Sequence, residues 1–372
     1  MTTPEGRPRS RWRRLLRFST RGLLLVMVIV AIPLAWVANR AYRQRQAVAM
    51  IEAKGGWALH ESDDWSPLHP ANGQTRAVIH WPNWLVVALG DDYFANVEEV
   101  ILDGPYGDPE LQIISDSLPG LISIHLDLKG TRVTALGLGS LARLTKLDYL
   151  AIVGATLQNE DLKALGRLTR IETLSLDQCV LPDEPLDFLR GLTSLTGLYL
   201  EKTSLGDRAF QEPIRLPNLR WLGFRDTSVG DAAIPAIVSM GPFSNLKLNG
   251  SQITDAGLAH LSGLERLETL ELDGTRVTDA GLESLALCPN LDFLSLNRTR
   301  VTDRGLATLA RMPVLRVLTL EETEVTDLGM AEFASVTRRM QLSARGSKAT
   351  KTGLAKLQSA NPNLDLSLDL EQ

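Results

Sequence analysis

Apolar and polar positions recur together with a fixed 24-residue period through most of this chain. The best-preserved copy, Val-Thr-Asp-Ala-Gly-Leu at residues 277–282, follows a Leu-x-x-Leu-x-Leu segment at Leu267, Leu270 and Leu272. Such alternation has the period of a β-strand, so Leu270 and Leu272 point to one face and their neighbours to the other. Leucines at a spacing of three in the second half of the repeat predict a short helix.

The repeat runs through ten copies without a gap. The strand and helix of a single copy cannot bury their apolar faces alone, so stacked copies must supply the core. The sequence therefore predicts an α/β solenoid with a parallel sheet on its concave face and short helices on its convex face. We expect eleven strands, from Leu126 and Leu128 to Leu366 and Leu368, in a repeat domain of residues 126–372. The threonine position of the motif is occupied by Thr134, Gln158, Pro182, Gly206, Gly230, Thr254, Thr278, Thr302, Thr326 and Thr350.

The pattern L-x-x-L-x-L-x-x-T-x-[VI]-T-D-x-G-L resembles the leucine-rich repeats of the cysteine-containing and ribonuclease-inhibitor-like kind, in a bacterial version. The resemblance covers about two thirds of the chain and implies a binding surface for varied partners. A short segment, Gly90 to Phe94 followed by Val97, Val100 and Leu102, is similar to the lead-in of membrane-anchored repeat proteins from planctomycete-like bacteria.

The amino-terminal end differs in charge from the rest. Residues 1–54 carry 11 Arg and Lys against two Glu, whereas the remainder carries 28 against 42, a net charge of −14. Seven arginines precede the uncharged run 22–38, which is just long enough to cross a bilayer core. We expect a basic cytoplasmic tail at 1–21 and a transmembrane signal anchor at 22–38, with the repeats outside the membrane, on the periplasmic side of a bacterial inner membrane. A cleaved signal peptide is the alternative, although Trp36 stands where a small residue should precede a cleavage site.

Two further segments lie between this anchor and the repeats. Residues 39–56 predict a juxtamembrane helix that Gly55 and Gly56 end. Residues 57–125 are interpreted as an amino-terminal cap with a degenerate first repeat, because terminal repeats must be sealed. A carbohydrate or peptide site is the alternative function for this segment, which holds four of the seven tryptophans, Trp57, Trp65, Trp81 and Trp84.

Nothing in the sequence predicts catalysis. There is no nucleophile elbow or phosphate-binding loop, so we expect no enzyme and no cofactor. Cys179 and Cys288 occupy positions of buried small side chains several rungs apart, too far for a disulfide. A metal site is conceivable among His60, His69 and His80, but no spacing enforces it, and we predict none.

The recurring polar residues of the motif are interpreted as structural. The aspartates, from Asp183 to Asp327, could collect cations, but a position at each helix start favours capping and interaction with the helix dipole. The buried threonines, such as Thr275, Thr299 and Thr323, are expected to form a hydroxyl ladder that ties neighbouring turns. The prolines Pro185, Pro213 and Pro235 should shorten their helices.

Function is then expected on the outward strand positions. Aromatic residues and Arg are the types that anchor protein interfaces. We predict that the chain is a membrane-anchored protein that binds an unidentified protein partner through this concave face. The alternative is an envelope scaffold that binds polysaccharide or itself; nucleic acid binding is disfavoured by the negative charge. The candidate partner-binding residues are Tyr149, Tyr199, Trp221, Arg225 and Phe293.

Overall fold

The computed structural model describes residues 20–60 and 96–366, which form one long sheet with helices on one side. In these residues β1 pairs with β2 in the antiparallel direction, and every later strand pairs in parallel with the one before it. The solenoid with a parallel sheet, predicted from the 24-residue period, is therefore confirmed. The strands are β1 (Trp57–His60), β2 (Val97–Asp103), β3 (Ser123–Asp127), β4 (Tyr149–Val153), β5 (Thr173–Ser175), β6 (Gly197–Tyr199), β7 (Trp221–Gly223), β8 (Asn245–Lys247), β9 (Thr269–Glu271), β10 (Phe293–Ser295), β11 (Val317–Thr319), β12 (Met340–Ser343) and β13 (Leu364–Asp365).

Short helical segments alternate with the strands, and a rung is defined here as a strand with the helical segment or segments that follow it. The α-helices are α1 (Thr20–Ala53), α2 (Asp108–Ser117), α3 (Ala135–Ser140), α4 (Asn159–Leu165), α5 (Ile234–Met240), α6 (Asp255–Ala259), α7 (Asp279–Leu285), α8 (Asp303–Ala310), α9 (Asp327–Met330) and α10 (Lys351–Ala360). The 3-10 helices are Leu141–Arg143, Asp187–Gly191, Asp207–Phe210, Asp231–Ala233 and Ala331–Ser335.

The expected strand series needs two corrections at its amino-terminal end. Parallel pairing begins one strand earlier than expected, at β2. In β3 the inward pair is Ile124 and Leu126 rather than Leu126 and Leu128. The reason is the strand register: Leu126 pairs with Ile152, which lies two positions farther along the chain than one repeat period predicts. The 24-residue spacing holds for the helix starts here but not for the strands, so the extra residues lie between β3 and the start of α3. Leu368 lies outside the described residues.

The core is a stack of leucines between the sheet and the helices. The inward strand leucines Leu246, Leu270 and Leu294 are fully buried, as are the helix leucines that face them. Burying one such side chain contributes about 2 kcal/mol. Because each rung covers the leucines of the next, the apolar surface that one rung cannot hide is hidden by its neighbour.

The aspartates of the motif link consecutive rungs. The Asp279 carboxylate accepts hydrogen bonds from the backbone N–H of Thr302 at 2.8 Å and from its hydroxyl at 2.6 Å. Asp231, Asp255, Asp303 and Asp327 make the same pair of bonds to the motif threonine of the following rung. The capping interpretation thus holds for the threonines, four of which between Thr254 and Thr350 cap their own helices. It is incomplete for the aspartates, whose oxygens bind the following rung.

The buried threonines also differ from expectation. The Thr275 hydroxyl donates to the Leu272 carbonyl at 2.6 Å, and Thr299 and Thr323 bond to Leu296 and Leu320 in the same way. These bonds stay within one turn, so the predicted ladder between turns is wrong. A hydroxyl three residues after a carbonyl reaches it locally, which leaves no donor for the neighbouring rung.

The two cysteines are buried and free, as expected. Cys179 replaces the threonine of its rung, and its thiol donates to the Ile152 carbonyl of the preceding rung. Burial raises the pKa of Cys179 to about 11 and also raises the pKa of Cys288. Neither thiol is therefore a reactive nucleophile at neutral pH.

The amino-terminal helix α1 continues from the apolar run straight into the fold. The first half of α1 exposes apolar side chains, among them Leu24, Ile29 and Leu34. The segment Leu24–Ala53 is long and apolar enough to cross a membrane, a property that a signal sequence shares. Farther along, Ala47 and Ile51 are fully buried against the first rungs. The helix ends where Gly55 adopts a positive φ of 86°, as the glycine pair predicts.

The prolines act differently in the three rungs that contain them. After Pro185 and before Pro213 the helical segments are short 3-10 turns, Asp187–Gly191 and Asp207–Phe210. Pro235 instead lies in the first turn of α5, where its missing N–H is not needed, and that helix keeps seven residues. The shortening is therefore confirmed at Pro185 and Pro213 and is wrong at Pro235.

Candidate functional site

The outer face of the sheet, away from the helices, presents three columns of side chains. The first column runs through Tyr149, Thr173, Gly197, Trp221, Asn245, Thr269 and Phe293. The second runs through Ala151, Ser175, Tyr199, Gly223, Lys247, Glu271 and Ser295. The third column follows the strands and holds Asp177, Glu201, Arg225, Asn249, Asp273, Asn297 and Glu321.

Most of the third column maintains the fold. Asp177 Oδ1 accepts the backbone N–H of Glu201 at 2.9 Å, and Asn249 Oδ1 accepts that of Asp273 at 2.8 Å. Asp273 and Asn297 repeat this bond to the next rung. These short side chains reach across the strand spacing of about 4.8 Å to cap a free N–H. The oxygens of these side chains are therefore used to hold neighbouring rungs together.

This series is interrupted at Glu201 and Arg225. In the described residues the Glu201 carboxylate accepts no hydrogen bond, and the Arg225 guanidinium forms its ion pair with the adjacent Asp226, at 3.5 Å. Burial, then the charge of Asp177, raises the pKa of Glu201, while Lys247 and Arg225 oppose this shift. A longer acid and a cation thus replace the rung-linking Asp or Asn at two successive positions.

The same two rungs carry Tyr199 and Trp221. A Cβ placed on Gly197 would lie 3.3 Å from Tyr199 Cε2, and one on Gly223 would lie 3.2 Å from Tyr199 Cδ1. The tyrosine ring therefore covers two neighbouring glycines, because any side chain there would displace it. Sequence reasoning did not identify Gly197 and Gly223 as part of the site. The available signal was glycine at outward strand positions, where close approach of another group is common.

Trp221 and Tyr199 differ in exposure. Trp221 is 44% exposed, an unusual state for a tryptophan on a sheet face. Tyr199 is half-buried; burial first, then the neighbouring Tyr149 phenol, raises the pKa of its hydroxyl. Together with Arg225 and Glu201 these two rings form a continuous patch on β6 and β7, which we call the aromatic patch.

The remaining two candidates lie at different distances from this patch. Tyr149 is on β4, two strands from Tyr199, and its phenol contributes, after burial, to the raised pKa of Tyr199. Phe293 is on β10, three strands from Trp221, or about 14 Å at the usual strand spacing. Asn245 and Thr269 separate it from Trp221. The structure thus groups Tyr199, Trp221 and Arg225, with Tyr149 beside them and Phe293 apart.

The metal site considered among His60, His69 and His80 stays untested, because the segment 61–95 is outside the described residues. In residues 20–60 and 96–366 no group of three or more His, Cys, Asp or Glu side chains is arranged to hold a metal ion. His69 and His80, together with Trp65, Trp81, Trp84 and the segment Gly90 to Phe94, lie outside the described residues, as does the basic tail 1–19.

A regular solenoid with an aromatic patch on its sheet defines a repeat protein with an extended face for contact rather than a closed pocket. The family model for the leucine-rich repeat matches residues 266–286, within the repeat region, and supports a leucine-rich repeat fold for the solenoid. No curated protein matches the sequence.

Solved structures with this fold include two of 17% identity. One is an internalin (inlF) from Listeria monocytogenes, with a TM-score of 0.45, covering 76% of this chain and 92% of that chain. The other is the mouse RP105/MD-1 complex, with a TM-score of 0.52, covering 74% of this chain and 47% of that chain. This chain therefore spans about half the length of the mouse protein that it matches, and the similarity concerns the fold.

Proposed function

We propose that this protein is a membrane-anchored interaction protein whose leucine-rich solenoid binds another protein through the concave face of its sheet. Leucine-rich repeat proteins commonly bind protein partners, and the RP105/MD-1 structure is a complex of this kind. The observation that carries the proposal is the aromatic patch. The patch contains Trp, Tyr and Arg, the residue types that dominate protein interfaces. Two of its residues, Glu201 and Arg225, stand where other rungs have an Asp or Asn that bonds to the next rung.

The proposed centre of the interface is Trp221 and Tyr199, with Arg225 at its edge and Tyr149 beside it. Trp221 offers the exposed ring, and Tyr199 offers a half-buried ring that lies close against Gly197 and Gly223. Rigid aromatic anchors lose little conformational entropy on binding. Phe293 lies outside this centre and would contribute only if the partner extends over three more strands.

The decisive experiment has two stages. Proximity labelling from the repeat domain in its native cell identifies neighbouring proteins, and the affinity of the purified pair is then measured. The double variant Trp221→Ala with Tyr199→Ala should weaken binding by about 30-fold or more, since losing one hot-spot residue costs about 2 kcal/mol or more and the effects of neighbouring hot spots do not add. Leu328→Ala is the matched control, because Leu328 is 80% exposed on the helical side.

Unchanged affinity in the double variant, with an unchanged melting temperature, would exclude the aromatic patch as the interface. Phe293→Ala measures how far the contact extends along the sheet. A small effect limits the interface to the rungs around β6 and β7, and a large one extends it to β10.

The proposed topology has the amino terminus in the cytoplasm, residues 22–38 across the membrane and the solenoid on the periplasmic side. Support comes from the exposed apolar surface of α1 and from the seven arginines before residue 22. An alkaline phosphatase fused after Gln372 should be active only if the solenoid is exported. An inactive phosphatase in a fusion protein that is present at full length would contradict this topology.

We also propose the domain limits expected from the sequence, a cap in residues 57–125 and the repeats in residues 126–372. The antiparallel β1 supports it, since a strand of opposite direction closes the edge of a parallel sheet. No observation favours the alternative of a polysaccharide-binding or self-associating scaffold.

A further inference from the structure

A cleft of about 530 Å³ lies where α1 meets the first rungs, far from the aromatic patch. One face of α1 forms its first wall, since the residues concerned are spaced at i, i+3, i+4 and i+7. The turn after α2 and the segment before β4 form its second wall. The cleft is lined mainly by Trp36, Asn39, Arg40, Arg43, Asn96 and Lys146, with Asp116 and the turn 117–120 completing it.

The cleft is positively charged. Arg40 donates to Asn96 Oδ1 at 2.7 Å, which holds its guanidinium against the second wall. Within the described residues, Arg43 and Lys146 form no ion pair and are both exposed. Asp116 does not offset them, because it is bound by Arg143 at 2.6 Å. Three cationic groups therefore surround one space, and the acid among its lining residues is already paired.

The position of the cleft along α1 matches the surface of a bilayer. The uncharged run ends at Ala38, so at about 1.5 Å per residue Arg40 and Arg43 lie about 3 and 8 Å beyond it. The polar headgroup layer extends about 5–8 Å from the hydrocarbon core on each side. Trp36, 64% exposed, lies at the boundary where tryptophan is preferred.

We propose that this cleft binds the phosphate of an anionic phospholipid in the leaflet next to the solenoid. Guanidinium groups donate paired hydrogen bonds to phosphate oxygens, and Lys146 adds a point charge. A headgroup that carries its own ammonium would be repelled by these three cations, so the site selects net negative lipids. The proposal rests on the membrane anchoring proposed above, but not on the aromatic patch or its partner.

The test uses the full chain in detergent micelles, with native mass spectrometry to count retained lipids. Phosphatidylglycerol should be retained several-fold more strongly than phosphatidylcholine of the same acyl chains. The double variant Arg43→Gln with Lys146→Gln should remove this preference. The control Arg45→Gln with Lys163→Gln removes the same charge from exposed residues outside the cleft and should leave the preference unchanged.

Three results would overturn the proposal. Equal retention of the two lipids would mean that the cleft does not select an anionic headgroup, and equal loss of the preference in both double variants would mean that only nonspecific charge attracts the lipid. Displacement of phosphatidylglycerol by millimolar inorganic phosphate would assign the cleft to a free anion instead. Failure of membrane anchoring is a separate outcome, since the chain would then leave the membrane fraction when cells are broken.

Discussion

Glu201 occupies a position on the sheet face that reduces the stability of the fold. Its neighbours Asp177 and Glu271 place further carboxylates close to its own, and burial raises the pKa of Glu201 above its ordinary value. A carboxyl group with a raised pKa stabilises the folded state below about pH 4.5, the ordinary pKa of Glu, and this contribution is lost as the pH rises through the folded pKa. Stability lost at one position is common where a residue serves binding.

We therefore expect Glu201→Gln to raise the melting temperature at pH 7, because Gln keeps the shape without the charge. The gain should shrink toward zero as the pH falls to 4, where Glu201 is protonated in the folded state and largely so in the unfolded one. Thermal unfolding followed by circular dichroism across this range measures it. Glu160→Gln, an exchange of the same charge on α4, is the control, and an equal gain in both variants would refute a local cause.

At the scale of the repeat element, the glycine of the motif is required by the rung before it. A Cβ on Gly305 would lie 2.6 Å from Asp279 Oδ1 and equally close to Leu282 Cδ1. The glycines Gly257, Gly281, Gly329 and Gly353 also approach the aspartate of the preceding rung closely. The motif glycine thus leaves room for the aspartate carboxylate of the preceding rung, which binds the motif threonine. The aspartate and the glycine of the motif therefore depend on each other.

Gly305→Ala should lower the free energy of unfolding by about 1–3 kcal/mol, the usual cost of overpacking. Gly139→Ala is the matched control, because Gly139 is also helical but its added Cβ would meet only Ala164 Cβ at 4.0 Å. That variant should be neutral or stabilising by up to about 1 kcal/mol, since Ala favours helices. Urea unfolding distinguishes the two, and a loss of equal size in both variants would contradict the steric account.

At the scale of the whole molecule, α1 is one continuous helix whose two halves differ in what surrounds them. Its first half exposes apolar side chains, and its second half caps the solenoid through Ala47 and Ile51. The Tyr106 hydroxyl donates to the Ile51 carbonyl at 2.9 Å, and Lys54 pairs with Glu110 at 2.7 Å. In the described residues no linker separates the exposed apolar half of α1 from the half that packs against the first rungs.

A chain that begins at residue 39 should therefore be more stable than one that begins at residue 57. Removing the capping half uncovers the first rung, and the loss of Ile51 alone should cost about 2–4 kcal/mol. Chemical unfolding of the two shortened chains measures the difference. Ile51→Ala in the longer chain should reproduce part of it, whereas equal stability of the two chains would show that α1 does not cap the solenoid.

The sequence determined the repeat, the parallel sheet, the inward leucines and the choice of candidate binding residues at outward strand positions. The reason is that a strict short period leaves few ways to bury the apolar residues of each repeat. It predicted the glycine stop at Gly55 and the buried state of Cys179 for the same local reasons. It misjudged the partners of the aspartates and threonines, since sequence spacing does not reveal whether a side chain bonds within its turn or across to the next.

Only the tertiary structure decided which outward residues belong together. Tyr149, Tyr199, Trp221, Arg225 and Phe293 have similar chemistry in the sequence, but strand register separates Phe293 from the others and brings Gly197 and Gly223 beneath Tyr199. The register shift at β3 and the cleft beside α1 likewise depend on contacts between distant segments. The period of the chain fixes what each rung buries, whereas packing between rungs fixes which side chains meet on the surface.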